Sequence, residues 1–383
     1  MDFELNNKQR DIKKAARDFA LGEFTAVARD YDLHEIFPRD VVNKARKLGF
    51  MGLFIPERYG GPGFGFLEQA MVAEEFAQVD PGIALQICST TFGSEELLLY
   101  GTETQKKKYL TELLQGDAIM GFAITEPDAG SDNSAASTTA SKDGNGYVIS
   151  GNKVMISNGT VASFLLVYCL TNPEVKSKTG RHSILIVETD HKGYEADKMH
   201  GKMGVRCSDT ANIYFNDVRV PRENLVGKEG NGFIQLMHFF DRSRTWVAAF
   251  GLGIAQGSLD MAIKQVKERR QFGQPIGAFQ ATQFKIAEMA TKVEVARNMI
   301  YKAAWLVDQG RPDTKLTAMA KMYACQVGVE VVDEALQLHG GYGYFNDNDI
   351  ERFYRAAKVQ EIYEGTKEIE KIIIAREILG KLK

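Results

Sequence analysis

The spacing of apolar residues changes twice along this chain. Up to about residue 118 they recur at helical intervals, from 119 to 226 the period shortens to that of strands, and from 227 it is helical again. In the first region Asp80-Pro81 reads as an N-cap followed by proline at the first helical position, where its missing N–H costs nothing. Thr102 with Gln105 forms a capping box that opens TETQKKKYLTELL, and PERYGGPGFG (56–65) is a Gly/Pro-rich loop between helices. In the second region STTASK, the turn DGNG and YVISG predict a hairpin, because Asp-Gly and Asn-Gly tolerate the positive φ of tight turns. FLLVYCLT, HSILIVE and NIYFNDVRVP follow as strands, with Ile213 and Phe215 alternating with polar neighbours. The third region opens with a long helix from GFIQLMHFF to KERR, free of proline, that stops at FGQPIG. Helices over 278–309 and 315–339, separated by GRPDT, come next. A final helix follows Tyr363, with Ile369, Ile372, Ile373 and Arg376 at helical spacing.

The resulting order is α–β–α, with domains expected at 1–118, 119–226 and 227–383. It excludes the alternating βαβ order of a doubly wound fold and makes the fold class α+β. A length of 383 residues suits two or three subdomains. The net charge of −3, from 47 basic and 50 acidic residues, gives no basic field for nucleic acid or anionic lipid. The opening MDFELNNKQRDIKKAARDFA is too charged for a signal peptide, and no apolar run predicts a membrane span, so a cytoplasmic protein is expected. Cys88, Cys169, Cys207 and Cys325 are widely spaced, form no CxxC pair and read as free thiols. Asn158-Gly159-Thr160 fits a glycosylation acceptor but lacks the secretory context that would give it meaning.

Several familiar chemistries find no support. No GxGxxG follows a strand, and GxxxxGK[ST] and GxSxG are absent. His182, His191, His200 and His238 are isolated and read as surface residues, so no metal site is expected. What remains is a series of quieter constellations. GFAITEPDAGSD (121–132) has glycines and a proline that free backbone N–H groups, with Thr125, Ser131 and Asp132 beside them; it reads as a turn or as a cradle for a polar ligand. The arginines of KERRQFGQP (267–275) complement a helix dipole, or present a guanidinium fork to a pyrophosphate. LHGGYGY (338–344) closes a helix or admits a ligand against bare backbone. Asp241 and Arg244, one helical turn apart, read as a surface ion pair. In IYEGTKEIE (362–370) Glu364 precedes a glycine on a turn and Thr366 is a plausible N-cap; the carboxylate serves the helix dipole or acts as a rigidly held general base.

Taken together and in order, GFAITEPDAGSD, GNKVMISNG, KMGVRCSDT, ERRQFG, LHGGYGY and IYEGT closely resemble the acyl-CoA dehydrogenase family, over essentially the whole chain and nearest to its short- and medium-chain, butyryl-CoA-dehydrogenase-like branch. The resemblance implies an N-terminal all-α domain, a small central β-domain (an antiparallel barrel or sandwich) and a C-terminal four-helix bundle, assembled as a homotetramer. It implies FAD as cofactor, an acyl-CoA substrate in fatty acid β-oxidation, and an electron-transfer flavoprotein as acceptor. Residue by residue, Phe122, Ile124, Thr125, Met155 and Ser157 match positions beside the flavin, and Ser131 matches one shared between cofactor and CoA. Arg269, Gln271, Phe272, Gln280, Gln337, Gly340 and Gly341 match contacts to the FAD of a neighbouring subunit, and Thr366 and Glu368 match further cofactor contacts. Asp241, Arg244, Tyr363 and Gly365 match substrate-binding positions, and Glu364 matches the base that removes the thioester α-proton while a β-hydride departs to flavin. Relatives that lack this glutamate carry a carboxylate just before the Arg of the DxxR motif; here that position is Ser243, which leaves Glu364. Met155 stands where relatives have Trp or Phe. Residues 85–92, LQICSTTF, match the helix that shapes the far end of the acyl pocket, and the lack of Arg there argues against a dicarboxylyl thioester. The competing readings are an acyl-CoA oxidase-like flavoenzyme and a non-catalytic acyl-CoA- or flavin-binding subunit.

Overall fold

The computed structural model describes residues 4–380, so the outermost positions of the two expected flanking domains lie outside the described residues. The N-terminal part is helical: α1 (Asn7–Glu23), α2 (Ala28–Leu33), α3 (Arg39–Lys47), α4 (Phe66–Ala77), α5 (Pro81–Ser89), α6 (Ser94–Tyr100), α7 (Glu103–Gln105) and α8 (Thr111–Gln115). The caps behave as their residue types require. The Asp80 carboxylate accepts from the Ile83 N–H at 2.7 Å, with Pro81 opening α5. Thr102 and Gln105 exchange side-chain and backbone hydrogen bonds, and a wider π turn over 106–110 joins α7 to α8.

The central part carries β1 (Met120–Ala123), β2 (Thr139–Asp143), β3 (Gly146–Ser157), β4 (Phe164–Leu170), β5 (His182–Glu188), β6 (Tyr194–Lys198), β7 (Thr210–Pro221) and β8 (Leu225–Val226). Their order is β6-β7-β3-β2-β4-β5-β8, with β1 added against β4. The β2–β3 hairpin forms at Gly144, φ 55°, as the DGNG turn requires. The pairing is not antiparallel throughout: β1 and β2 run parallel to β4. The surface reading of His182 is also wrong. It is buried on β5, stacked on Tyr168, with Nε2 2.9 Å from the Ala136 carbonyl. Asn158 is buried too, its amide donating to the Ser89 and Met120 carbonyls.

The C-terminal part comprises α9 (Gly232–Glu268), a two-strand ribbon of β9 (Arg270–Gln271) and β10 (Gln274–Pro275), α10 (Gln280–Asp308), α11 (Thr314–His339), α12 (Asp349–Gln360) and α13 (Lys367–Leu379). Against the expectation from the apolar runs, α9 is by length and composition apolar enough to cross a membrane. However, 78% of its most apolar window is buried, as befits the central helix of a bundle. It packs on α4, α10, α11 and α12. Glycines set this close approach: a Cβ on Gly251 would lie 2.9 Å from the Ala324 carbonyl, and one on Gly328 would lie 2.9 Å from the Gly251 carbonyl. Two features depart from the apolar pattern. The pattern reading passes over α12, although Ile350, Phe353, Ala356 and Ala357 form its buried face. On α13 the isoleucine stripe is only partly covered: Ile369 and Ile373 are half-buried and Ile372 is exposed, whereas Glu370 is 0% exposed.

Because α9 and α11 meet backbone to backbone at Gly251, Gly251→Ala is expected to lose about 1–3 kcal/mol by overpacking, read as a lowered Tm with unchanged far-UV circular dichroism. A Tm equal to the parent's would mean that the two helices separate freely.

Candidate active site

Two stretches from different parts of the sequence meet at the C-terminal end of β1. The Val154 N–H donates to the Thr125 carbonyl at 2.9 Å, and a Cβ on Gly121 would lie 2.6 Å from the Ser157 carbonyl. Phe122, Ile124, Thr125, Met155 and Ser157 are thereby brought together. Between Lys153 and Ile156 the β3–β7 register shifts, and Met155 adopts φ 57° with its side chain 64% exposed. A bulge of this kind re-aims a side chain out of the sheet. Ser131 lies farther along the loop, exposed.

A buried ion pair that sequence reading missed holds the loop in place. Lys153, fully buried, donates to Glu126 at 2.8 Å and to the Ile124 carbonyl at 2.8 Å. Glu126 also accepts from the backbone N–H groups of Ser137 (2.6 Å) and Thr138 (2.9 Å). Burial pushes this carboxyl up, but the Lys153 charge and these hydrogen bonds outweigh it and hold Glu126 at about 2.

From this surface an aromatic path leads to the second part of the site. Phe122 meets Phe239 of α9 edge to face at 5.1 Å, and Phe92, at the end of residues 85–92, meets Phe239 at 5.1 Å and Trp246 at 6.1 Å. One turn along α9, Ser243 donates to Glu364 Oε2 at 3.3 Å. The other carboxylate oxygen of Glu364 is sealed from solvent and has no hydrogen-bond partner. Glu364 itself sits in the left-handed region, φ 55°, followed by Gly365 at φ 101°. A side chain at Gly365 would strike the Glu370 carboxylate, so glycine is required there by space as well as by φ. Desolvation pushes the Glu364 carboxyl up to about 8; Arg244 opposes this, Glu95 adds to it, and Lys321 and the Ser243 hydrogen bond oppose it.

Asp241 and Arg244 do not form the surface pair that their spacing suggested. Asp241 accepts from the Thr314 hydroxyl at 3.0 Å. Arg244 is buried over the Phe240 ring; its Nε donates to the Glu364 carbonyl at 2.7 Å and lies 3.2 Å from Glu370. Its Nε therefore faces the Glu364 turn. Lys321 of α11, also fully buried, donates to the Gly365 carbonyl at 2.5 Å. Tyr363 donates to Gln360. Thr366 caps α13 by accepting from the Ile369 N–H at 3.4 Å, and Glu368 is exposed. Sequence reading missed Lys321, Glu370, and two acids of α6 whose carboxylates are buried. Glu95 accepts from the Trp246 indole at 2.8 Å and is pushed up to about 7 by burial; Glu96 accepts from Gln235 at 2.8 Å and is pushed up to about 8. The one available signal was a set of charged residues inside otherwise apolar helical stretches.

The remaining expected residues gather elsewhere. Arg269 ends α9, and Phe272 (φ 50°) with Gly273 (φ 81°) forms the two-residue turn of the β9–β10 ribbon. A cleft of ≈ 480 Å³ is lined by Arg269, Gln271, Gly340 and Gly341 together with Tyr342 and Phe345. Nothing lies within 4 Å of where side chains of Gly340 and Gly341 would stand, so bare backbone is open beside a guanidinium and an amide, a donor set suited to phosphate oxygens. Phe272, Gln280 and Gln337 are exposed but do not line it. Arg244 lies on α9 and Arg269 follows its last residue, 25 residues on, a rise of roughly 37 Å at 1.5 Å per residue.

Family profiles match the chain from end to end: acyl-CoA dehydrogenase N-terminal domain over residues 6–117, middle domain over 121–218 and C-terminal domain over 230–379. An acryloyl-CoA reductase (NADH) of Anaerotignum propionicum is 43% identical over 383 residues, which cover 100% of this chain and 97% of that protein. The solved structure of butyryl-CoA dehydrogenase from Megasphaera elsdenii superposes with a TM-score of 0.96 at 36% identity, covering 99% of this chain and 100% of that one. A chain from a structure described as an electron transferring flavoprotein of Acidaminococcus fermentans, concerned with flavin-based electron bifurcation, gives a TM-score of 0.96 at 40% identity with both chains fully covered.

Glu126 is the only carboxylate within hydrogen-bond reach of Lys153 among the described residues. Glu126→Leu is therefore expected to cost about 3–5 kcal/mol by leaving a buried cation uncompensated. The pair's contribution in the parent is complete above the ordinary glutamate range near 4.5 and fades as pH falls toward 2, because the folded form holds its proton less tightly. Urea titrations at several pH values read both effects; equal stability of parent and variant at pH 7 would rule the pair out as a fastener.

Proposed function

The chain belongs to the acyl-CoA dehydrogenase family, and from that premise we propose that it carries out the FAD-dependent α,β-dehydrogenation of an acyl-CoA thioester to the 2-enoyl-CoA, with Glu364 as the base. The observation that carries this reading is the Glu364 carboxylate: one oxygen is held by Ser243, the other is buried without a partner, and the whole is raised to about 8. A carboxyl tuned near the working pH suits transfer of a weakly acidic α-proton. Bound FAD supplies the acceptor for the β-hydride.

The chain's own residues divide the remaining work. Phe122, Ile124, Thr125, Met155 and Ser157 form the surface on which the isoalloxazine would lie. Arg269, Gln271, Gly340 and Gly341 would hold the phosphates and adenosine of FAD. The donor set and the open glycine backbone fit such a group. That set lies beyond the far end of α9 from Arg244, roughly 37 Å along the helix, which supports its serving the site of a second copy of the chain. This supports the homotetramer, as do the exposed Phe272, Tyr342, Tyr344 and Phe345 around the cleft. Ser243 orients the base, and the Glu364 backbone N–H stabilises charge on the thioester oxygen as it develops. The division into units at 118/119 and 226/227 belongs to the same reading, supported by the gaps between α8 and β1 and between β8 and α9.

For the substrate, a neutral acyl chain fits residues 85–92. That stretch has no Arg to pair with a second carboxylate. An electron-transfer flavoprotein is the proposed acceptor, in keeping with the likeness to the Acidaminococcus fermentans chain. A second reading, reduction of a 2-enoyl-CoA, is favoured by the same carboxyl: below about pH 8 it carries the proton that such a reaction must deliver.

Anaerobic mixing with a panel of acyl-CoAs, followed by admission of air, is expected to bleach the flavin without prompt reoxidation. Fast peroxide formation would favour the oxidase reading, and no bleaching with any thioester would favour a binding subunit. Glu364→Gln is expected to keep FAD and bind acyl-CoA while reduction slows by roughly 10²–10⁴-fold. Dehydrogenation should rise with pH through about 8, since it needs the carboxylate, and enoyl reduction should fall over the same range, since it needs the acid. Near-parental reduction by Glu364→Gln would remove Glu364 from the mechanism.

A further inference from the structure

The left-handed turn at Glu364 and Gly365 is held by charged groups from three separate helices. Arg244 on α9 donates through Nε to the Glu364 carbonyl at 2.7 Å, and Lys321 on α11 donates to the Gly365 carbonyl at 2.5 Å. Both side chains are buried, Lys321 completely. Glu370 on α13 is completely buried as well, with Arg244 Nε at 3.2 Å and no hydrogen-bond partner for either carboxylate oxygen. A lone buried carboxylate with no hydrogen bond is costly unless its charge compensates neighbouring charge. The Lys321 and Arg244 charges both act on it, opposing the burial that raises its carboxyl to about 7.

We propose that Lys321 and Glu370, together with Arg244, form a charge clamp that positions Glu364: two buried cations grip successive carbonyls of its turn, and Glu370 keeps both cations in place. The inference rests on Glu364 being the base, and it makes Lys321 and Glu370 positioning residues rather than groups that touch substrate. A non-glycine residue at φ 55° is strained. Charge-assisted hydrogen bonds to the two carbonyls that define the turn are the compensation that holds it there. The clamp also sets the field at the carboxylate. Glu364 is faced by Arg244 from α9, Glu95 from α6 and Lys321 from α11, with Tyr363 beside it; Glu370 lies 3.2 Å from Arg244 and feels the charges of Lys321 and Asp241, and the buried Cys88 of α5 and Cys325 of α11 act on Tyr363. Arg244 and Lys321 favour the Glu364 carboxylate and Glu95 opposes it, while Glu370 offsets the two cations. Removing the Lys321 charge therefore disfavours the carboxylate, and removing the Glu370 charge favours it.

The test uses the FAD-loaded full-length protein and the variants Lys321→Met and Glu370→Gln, with two readouts. Backbone amide exchange by mass spectrometry over 361–370 reads the clamp itself, whatever the enzyme's activity. Lys321→Met is expected to exchange about tenfold faster or more in this segment, in line with loss of a charge-assisted hydrogen bond, and no faster in α9. Deuterium incorporation at Cα of a bound saturated acyl-CoA, followed against pH, reads the base without requiring net hydride transfer. Here Lys321→Met should shift the apparent pKa up and Glu370→Gln should shift it down, each by roughly one unit, with acyl-CoA affinity within about threefold of the parent. A purely structural role would not move the two profiles in opposite directions. Profiles that superimpose on the parent's, shifts of the same sign, or parental amide exchange over 361–370 would overturn the proposal. Should Lys321→Met not fold, Glu370→Gln decides alone, its profile either shifting down or staying in place. If the parent itself exchanges no Cα proton with any acyl-CoA, the proposed activity fails, and amide exchange still decides the clamp.

Discussion

Removing a carboxyl group from water is the constraint around which the centre of this molecule is organised. Glu364 has one oxygen on Ser243 and one with no partner at all, and desolvation dominates its protonation. A group in that state needs a rigid backbone beneath it, or it would turn toward solvent or a donor. The backbone it has is an unfavourable one, φ 55° then 101°, held by cations from α9 and α11. Gly365 is bound to glycine twice over, by φ and by the Glu370 carboxylate that fills the space a side chain would need.

The bundle makes that arrangement possible because its helices approach closely enough for groups from three of them to converge. Gly251 and Gly328 let α9 and α11 touch backbone to backbone, which brings Lys321 level with Arg244. The price is a central helix so apolar that composition alone would suit a bilayer. In the β region the same logic appears in smaller form: Lys153, fully buried, is tolerable because Glu126 and the Ile124 carbonyl surround it. That pair ties the 121–132 loop to the β3 bulge where Met155 emerges.

Arg269 and Gly340–Gly341 lie beyond the far end of α9 from Arg244, and the apolar side chains around them are exposed. On α13, likewise, Ile372, Ile378 and Leu379 are exposed while an acid, Glu370, is buried. Phe272, Tyr342 and Phe345 leave exposed apolar surface of the kind that marks an interaction site, in keeping with the proposed sharing of sites between copies.

The sequence by itself determined the class and order of elements, since helical and strand periodicity and local caps are short-range properties: Asp80, Thr102 with Gln105, and the DGNG turn act within a few residues. Ordered motifs likewise pointed to Glu364, because a Glu-Gly turn before a capped helix is written in adjacent positions. What only the tertiary structure decided are the partners of charges far apart in the chain. Arg244 pairs with Glu370 and not with Asp241, Lys153 with Glu126, and Lys321 with the Gly365 carbonyl. The direction in which α13 turns its faces and the parallel pairing of β1 and β2 with β4 were decided there too. The physical reason is range: a hydrogen bond within a turn is fixed by neighbours in sequence. The energy of a buried charge depends on whatever the fold places around it, and no local pattern encodes that.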